Sequence, residues 1–140
     1  MIFAAGTGVF PFLDLFDYLL ENVSNKDGPG NIFKNGFKLQ IFLTFGSMND
    51  FVGLDICEKL IQACNDNGHE GAVKMTIRVK EPECSKLFTW TNEKFDEEFV
   101  NKYVVKECEK VFVCGPPAFN QKIPESLGLL GINSSKIMLV

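Results

Sequence analysis

Apolar residues in this chain fall into short runs, and between the runs they return at three- and four-residue spacing. Met1 to Ala5 reads as a first strand. Phe12, Leu15, Phe16, Leu19 and Leu20 then recur at i, i+3, i+4, i+7 and i+8, the stripe of an amphipathic helix. A polar, glycine-rich stretch from Ser24 to Gly36, containing Asp27-Gly28-Pro29-Gly30, reads as a surface loop or a contact segment. Leu39 to Phe45 is a second strand closed by Gly46-Ser47, and a helix from about Val52 to Asn65 stops at Asn67-Gly68. Val73, Met75, Ile77 and Val79 alternate with polar positions in a third strand, Ala72 to Val79, which should be less buried than its neighbours. Glu81-Pro82 breaks it, and Leu87 to Trp90 reads as a short extended piece. Phe95, Phe99 and Tyr103 mark a helix with an acidic outer face at Asp96, Glu97 and Glu98. Lys110 to Cys114 is a fourth strand. Phe119, Ile123, Leu127 and Leu130 mark a last helix, which Pro124 should kink or restart and Gly131 should end. Lys136 to Val140 is the fifth strand.

Strands alternating with helices, joined by crossovers too long for hairpins, predict an α/β fold with a five-stranded parallel, doubly wound, Rossmann-like sheet. The hydrophobic content is 46%, enough for one domain with a real core over residues 1–140. The phenylalanine stripes belong to that core. A net charge of −4 offers no basic face for nucleic acid, so any phosphate must be held by local geometry and one or two cations. Apolar runs stay well short of the roughly 18 residues a membrane span needs. The first strand begins at Met1 with no secretory signal before it. So abrupt a start suggests a chain cut from a longer protein, or one that has lost what preceded it.

The five cysteines (57, 64, 84, 108 and 114) form no C-x-x-C pair and leave an odd thiol. This pattern argues against a zinc site or a disulfide framework and for reduced thiols in an intracellular compartment. Cys57 and Cys64 read as buried small apolar groups on one helix. His69 is the only histidine and reads as a solvated loop residue, so a His-based triad or a His-rich metal site is excluded by number.

Two turns carry the candidate chemistry. Ile2 to Ala5 runs into Gly6-Thr7-Gly8-Val9-Phe10-Pro11, and Val111 to Cys114 runs into Gly115-Pro116-Pro117. In a parallel sheet such turns lie together at the carboxyl ends of the strands, where ligands bind. Glycine lets backbone approach a ligand, and the helix N-termini behind favour an anion such as pyrophosphate. The first turn is not G-x-G-x-x-G, because Pro11 holds the third glycine position, and a Walker lysine is missing. Two prolines after Gly115 fix the chain direction at a helix start.

The Gly-Thr-Gly-x-x-Pro turn at Gly6 to Pro11 is one of four motifs that carry a family resemblance. The others are the phrase Ile41-Phe42-Leu43-Thr44-Phe45-Gly46-Ser47, the run Val111 to Pro117, and the closing Leu130-Gly131-Ile132 with Lys136-Ile137. On these the chain resembles the C-terminal NAD(P)-binding domain of the ferredoxin–NADP reductase superfamily, which includes NADH–cytochrome reductases and ferric reductases. The likeness covers nearly all of the sequence. It implies a nicotinamide nucleotide whose pyrophosphate and nicotinamide ribose meet Gly6, Thr7 and Gly8, with Gly46 and Ser47 among the cofactor contacts. It also implies that Thr7 and Cys114 flank the hydride-transfer position while Gly115, Pro116 and Pro117 shape the pocket. A cysteine suits that place, being small, polarizable and uncharged against a ring. Arg78, the only arginine, would reach the adenosine ribose with Lys80, where a guanidinium favours a 2′-phosphate by charge-assisted bonding. Its neighbours Ile77 and Val79 are not the serine that NADP-using members often carry, so NADH and NADPH both stay open.

The resemblance implies hydride transfer from NAD(P)H to FAD, with the protein supplying orientation. The family's flavin-phosphate motif, an arginine followed by x, Tyr and Ser/Thr, does not occur here, and 140 residues leave no room for a flavin barrel. The family's aromatic or Glu-x-Phe ending is replaced by Met138-Leu139-Val140. FAD would therefore come only through a domain or partner not in this sequence, and the chain alone should be inactive. Three readings follow. The chain is the nucleotide half of a flavoprotein reductase, or a subunit that pairs with a separate flavin protein, or a structural, non-catalytic protein that keeps the fold. The electron acceptor is not legible.

Overall fold

The computed structural model describes residues 1–25, 31–81 and 86–140. Its strands are β1 (Ile2–Ala5), β2 (Leu39–Thr44), β3 (Val73–Arg78), β4 (Thr89–Thr91), β5 (Val111–Cys114) and β6 (Ile137–Leu139). Its helices are α1 (Phe10–Ser24), α2 (Leu54–Asp66), α3 (Glu97–Tyr103) and α4 (Pro117–Leu129). The strands form one sheet in the order β4-β3-β2-β1-β5-β6, and every pairing is parallel. The sheet therefore has six strands among the described residues, not the expected five. The extra one is the extended piece before the acidic helix. Thr89, Trp90 and Thr91 pair with Thr76, Ile77 and Arg78 and close the β3 edge.

Strand alternation divides the core into two layers. Ile2 and Ala4 of β1, Ile41 and Leu43 of β2, and Val73, Met75 and Ile77 of β3 face α1 and α2, which bury Phe12, Phe16, Leu19, Cys57, Leu60 and Cys64. Phe3, Phe42, Val111 and Val113 point the other way, against Phe95, Phe99 and Val100 near α3 and Ile123 and Leu127 of α4. Phe3 stacks on Phe42 with ring centroids 4.6 Å apart, and Phe95 and Phe99 meet this pair edge-on at 6.1 and 5.6 Å from Phe42. Each buried phenylalanine stabilises by roughly 1.5–3 kcal/mol, and each aromatic pair adds about 0.5–1.5 kcal/mol. This cluster pins the long crossover that carries the chain from β4, at one edge, beneath the sheet to β5. Asp96 caps α3, its Oδ1 accepting from the Phe99 N–H at 3.2 Å, and Glu97 and Glu98 sit in the first turn where the helix dipole favours them.

Three further differences from the expectations have local causes. Part of the expected surface loop is packed inside. Asn31 is only 6% exposed and accepts from the Phe33 N–H at 3.0 Å, capping a short 3₁₀ turn that puts Phe33 into the core. The Asp27 to Gly30 portion of that loop, Pro82 and Cys84 lie outside the described residues. Pro124 does not restart the last helix as a separate element. α4 runs through it, leaving the Asn120 carbonyl without its usual i+4 donor. His69 is half-buried, its ring 5.3 Å from that of Phe33.

Candidate functional site

The order of the strands makes a site. β1 continues through α1 to β2 on one side, whereas β5 joins β1 on the other, so the point where the winding reverses lies between β1 and β5. Ligands of open α/β sheets bind in the crevice outside such a reversal. Both candidate turns stand there. Ala4 pairs with Cys114, and the residues after each strand turn side by side.

Their approach is closer than any side chain would allow. A β-carbon on Gly8 would overlap the Cys114 carbonyl oxygen and stand 2.6 Å from its carbon and 3.0 Å from the Gly115 nitrogen. Likewise, one on Gly115 would lie 2.8 Å from Phe119 and 2.9 Å from the Ala5 side chain. Gly8 is buried and faces β5, so its role in the fold is to let the corners meet. Gly6 differs. Its φ of +56° is a left-handed conformation that favours glycine, and nothing lies within 4 Å of where its β-carbon would be, so the space above it is open to a ligand.

The two corners differ in chemistry. After β1 the chain forms a 3₁₀ turn, Gly6–Val9, that leads straight into α1, and Thr7 is exposed on it. The first N–H groups of such a turn have no partner within it, so this corner is rich in donors. At the other corner Pro116 and Pro117 have no N–H, and the Phe119 and Asn120 N–H groups already donate to the Pro116 carbonyl at 2.9 and 3.0 Å. That corner is poor in donors and walled by exposed prolines beside the half-buried Cys114 and Gly115. An anion fits the first, and the flat face of a ring fits the second.

Arg78 ends β3, two strands from β1 or about 10 Å across the sheet. Its Nη1 donates to Thr44 Oγ1 at 3.2 Å, and its Nε is buried without a hydrogen-bond partner. Lys80 is exposed just beyond it. Gly46 and Ser47 are exposed after β2, but the Ser47 N–H and hydroxyl both donate to Asp50 Oδ2, at 3.0 and 2.9 Å. Ser47 thus offers a ligand only the lone pairs of its oxygen, and Asp50 brings a carboxylate to the strand ends. Asp50 was not among the sequence candidates, although the Ser47-x-x-Asp50 spacing is a capping signature that signals it.

Burial raises the thiol of Cys57 to about 12, with Asp55 and Glu58 adding to the shift, and that of Cys64 to about 11. Both are unreactive core groups. No set of His, Cys, Asp and Glu side chains capable of holding a metal occurs among the described residues. An open hollow of about 410 Å³ beside α3 is lined by Asp96, Glu97, Glu98 and Asn101, which would repel a diphosphate. None of the helices among the described residues is long and apolar enough to cross a membrane.

No family model matches this sequence. Nor does any curated protein. Solved structures do share the fold. The cytochrome b5 reductase domain of Ulva prolifera nitrate reductase superposes with a TM-score of 0.71 at 15% identity, over 99% of this chain and 48% of that one. The CS-b5R domains of human Ncb5or, in their NAD+ form, superpose with a TM-score of 0.65 at 17% identity, over 99% of this chain and 35% of that one. This chain therefore spans about half or less of each solved chain. The fold expected from the resemblance is the fold found.

Proposed function

We propose that this chain is the NAD(P)H-binding module of a flavin-dependent oxidoreductase, presenting the nicotinamide to a flavin held by another domain or a partner. The observation that carries this reading is the backbone contact between Gly8 and Cys114, which joins a donor-rich corner to a donor-poor one at the reversal point of the sheet. Free amides of the Gly6–Gly8 turn and the positive end of α1 hold the pyrophosphate. Thr7 and Cys114 flank the nicotinamide, with Gly115, Pro116 and Pro117 as its wall. Gly46 and Ser47 accept from ribose hydroxyls, and Arg78 with Lys80 faces the adenosine end. When bound, the nucleotide supplies a hydride (two electrons with one proton) to the flavin ring, which must come within contact of the same spot. The chain's own contribution is orientation and the exclusion of charge from the ring. The buried, unreactive Cys57 and Cys64 suit a reducing intracellular compartment. The two solved cytochrome b5 reductase chains, one in its NAD+ form, support the reading by fold.

Isothermal titration of the chain with NADH, NADPH and free FAD tests it. Nucleotide binding without flavin binding is expected, and Thr7→Trp should abolish it while leaving the denaturation curve unchanged, since Thr7 is exposed. Failure to bind either nucleotide overturns the reading. Gly8 cannot serve as the discriminating position, because the fold itself requires glycine there whether or not a nucleotide binds.

A further inference from the structure

The chain contains two Asn-Gly steps, Asn35-Gly36 and Asn67-Gly68. A glycine has no side chain to shield its peptide nitrogen, so that nitrogen can reach the side-chain carbonyl of the asparagine before it. The chemistry is balanced and needs only water. The glycine nitrogen gives its proton to solvent base, a new C–N bond closes a cyclic imide, and the side-chain nitrogen leaves as ammonia. Water then opens the imide at either carbonyl, leaving aspartate or isoaspartate, with nothing oxidised or reduced. The two steps start alike. Both glycines are left-handed, with φ of +76° and +79°, and nothing lies within 4 Å of either β-carbon position. The Gly36 N–H donates to the Phe33 carbonyl and the Gly68 N–H to the Asn65 carbonyl, each at 3.3 Å.

Their surroundings separate them. Asn67 closes α2 and is half-buried, and its Nδ2 and its backbone N–H donate to the Ala63 carbonyl at 2.8 and 3.1 Å. Beyond it the His69 N–H returns to the Cys64 carbonyl at 2.8 Å, and the Ala72 N–H donates to the His69 carbonyl at 3.0 Å. Ring closure there must break the side-chain bond and open the helix end. Asn35 is exposed, and its side chain makes no hydrogen bond among the described residues. It ends the 3₁₀ turn Ile32–Asn35, in which the Lys34 N–H, like that of Gly36, reaches its carbonyl only at 3.3 Å. Such bonds are longer than the ordinary 2.7–3.2 Å. We propose that Asn35 is a site of spontaneous deamidation and isoaspartate formation, and that the end of α2 protects Asn67 from the same reaction. The change has a consequence for the fold. Isoaspartate adds a methylene to the main chain between the Asn31-capped turn and β2. That turn holds Phe33 in the core, with ring centroids 5.5 Å from Phe37 and 5.3 Å from His69. A longer link loosens it. The turn precedes β2 and so lies at the amino-terminal rim of the sheet, opposite the corners after β1 and β5, and the proposal is independent of the nucleotide reading.

Ageing the full chain at mildly alkaline pH tests it, with peptide mass analysis for the exchange of amide for acid and a carboxyl methyltransferase assay for isoaspartate. In the folded chain Asn35 should convert first. Asn67 should trail by about two- to tenfold, the factor that one hydrogen bond of ordinary net strength supplies. In urea above the unfolding transition both steps lose their surroundings, and the gap between them should narrow. Asn35→Gln should remove most of the isoaspartate that the folded chain accumulates. Conversion of Asn67 as fast as that of Asn35 in the folded chain overturns the proposal. So does a gap as wide in urea as without it, since the fold would then not be its cause. Isoaspartate that persists undiminished in Asn35→Gln also overturns it, because the reactive step would lie elsewhere.

Discussion

Gly8→Ala tests the contact on which the site depends. The new methyl group would overlap the Cys114 carbonyl and stand 2.6 Å from a backbone carbon, and neither atom belongs to a side chain that can swing away. Carbon atoms pack at about 3.5–4 Å, so the two turns must part by on the order of 1 Å. Overpacking of a well-filled site costs about 1–3 kcal/mol. For a domain of this size that is a fall in Tm of about 2–12 °C, at about 2–4 °C per kcal/mol. Parting the corners also spreads the Gly6–Gly8 amides from the Cys114 wall, so nucleotide affinity should drop by at least about tenfold, equivalent to about 1.4 kcal/mol. Gly6→Ala is the contrast. Its φ of +56° makes a side chain cost about 1–2 kcal/mol, yet the methyl meets nothing in the protein, so its loss of affinity comes from blocking the ligand. Urea denaturation at constant m-value and titration with NADPH read both effects. If Gly8→Ala unfolds at the urea concentration of the unaltered chain, the corners are not in contact and the site described here does not exist.

Arg78→Ala should weaken NADPH more than NADH. Because Nε is buried and Nη1 is already engaged with Thr44, few donors remain to face a phosphate, and the differential should be near tenfold, about 1.5 kcal/mol, rather than a hundredfold; equal losses in paired titrations would remove the 2′-phosphate argument. Saturating NADPH should slow iodoacetamide alkylation of Cys114 while leaving the equally half-buried Cys108 unchanged, by peptide mass analysis. Protection of both, or of neither, would count against a nicotinamide at that corner. Stability should fall as pH rises above about 9. Cys57, raised to about 12, and Cys64, raised to about 11, keep their protons in the folded chain while the unfolded thiols ionise near 9. Each linkage costs about 1.4 kcal/mol per pH unit, so removing Cys57 removes about half of the slope between pH 9 and 11. Cys57→Ala should lower the plateau and flatten the alkaline slope in denaturant titrations; an unchanged slope would refute the buried-thiol account.

β1, β2 and β5 are legible because each is an apolar run closed by glycine, β3 because its apolar positions alternate with polar ones, and the helices because Phe12, Phe16 and Leu19 or Ile123 and Leu127 keep the helical period. β4 is less so. Thr89-Trp90-Thr91 has the composition of a strand but only three residues, and its place at the edge is decided by pairing with β3. Phe33 is likewise drawn into the core from a stretch whose local composition says loop, because Asn31 satisfies the turn that buries it.

The site shows the same division between what a residue type can do and what its neighbours require of it. From sequence, Gly6 and Gly8 are alike, two glycines in one turn. In the fold they are opposites. Gly6 is open to solvent in a left-handed conformation, and Gly8 is closed against the peptide of a strand more than a hundred residues away in sequence. Ser47 and Asp50 invert an expectation in the same way, since the serine's donors are spent inside the turn and the carboxylate that consumes them becomes the group at the strand ends. Asp50 lies after β2 and Arg78 at the end of β3, the neighbouring strand. On the proposed reading, the adenosine end of the nucleotide therefore meets both an acceptor suited to free ribose hydroxyls and a donor suited to a phosphate. With Ser47 fixing one oxygen of Asp50 and Thr44 fixing one nitrogen of Arg78, neither side chain can turn fully to its ligand. Discrimination between NADH and NADPH should therefore be shallow in both directions, and replacing either residue should deepen the preference set by the other.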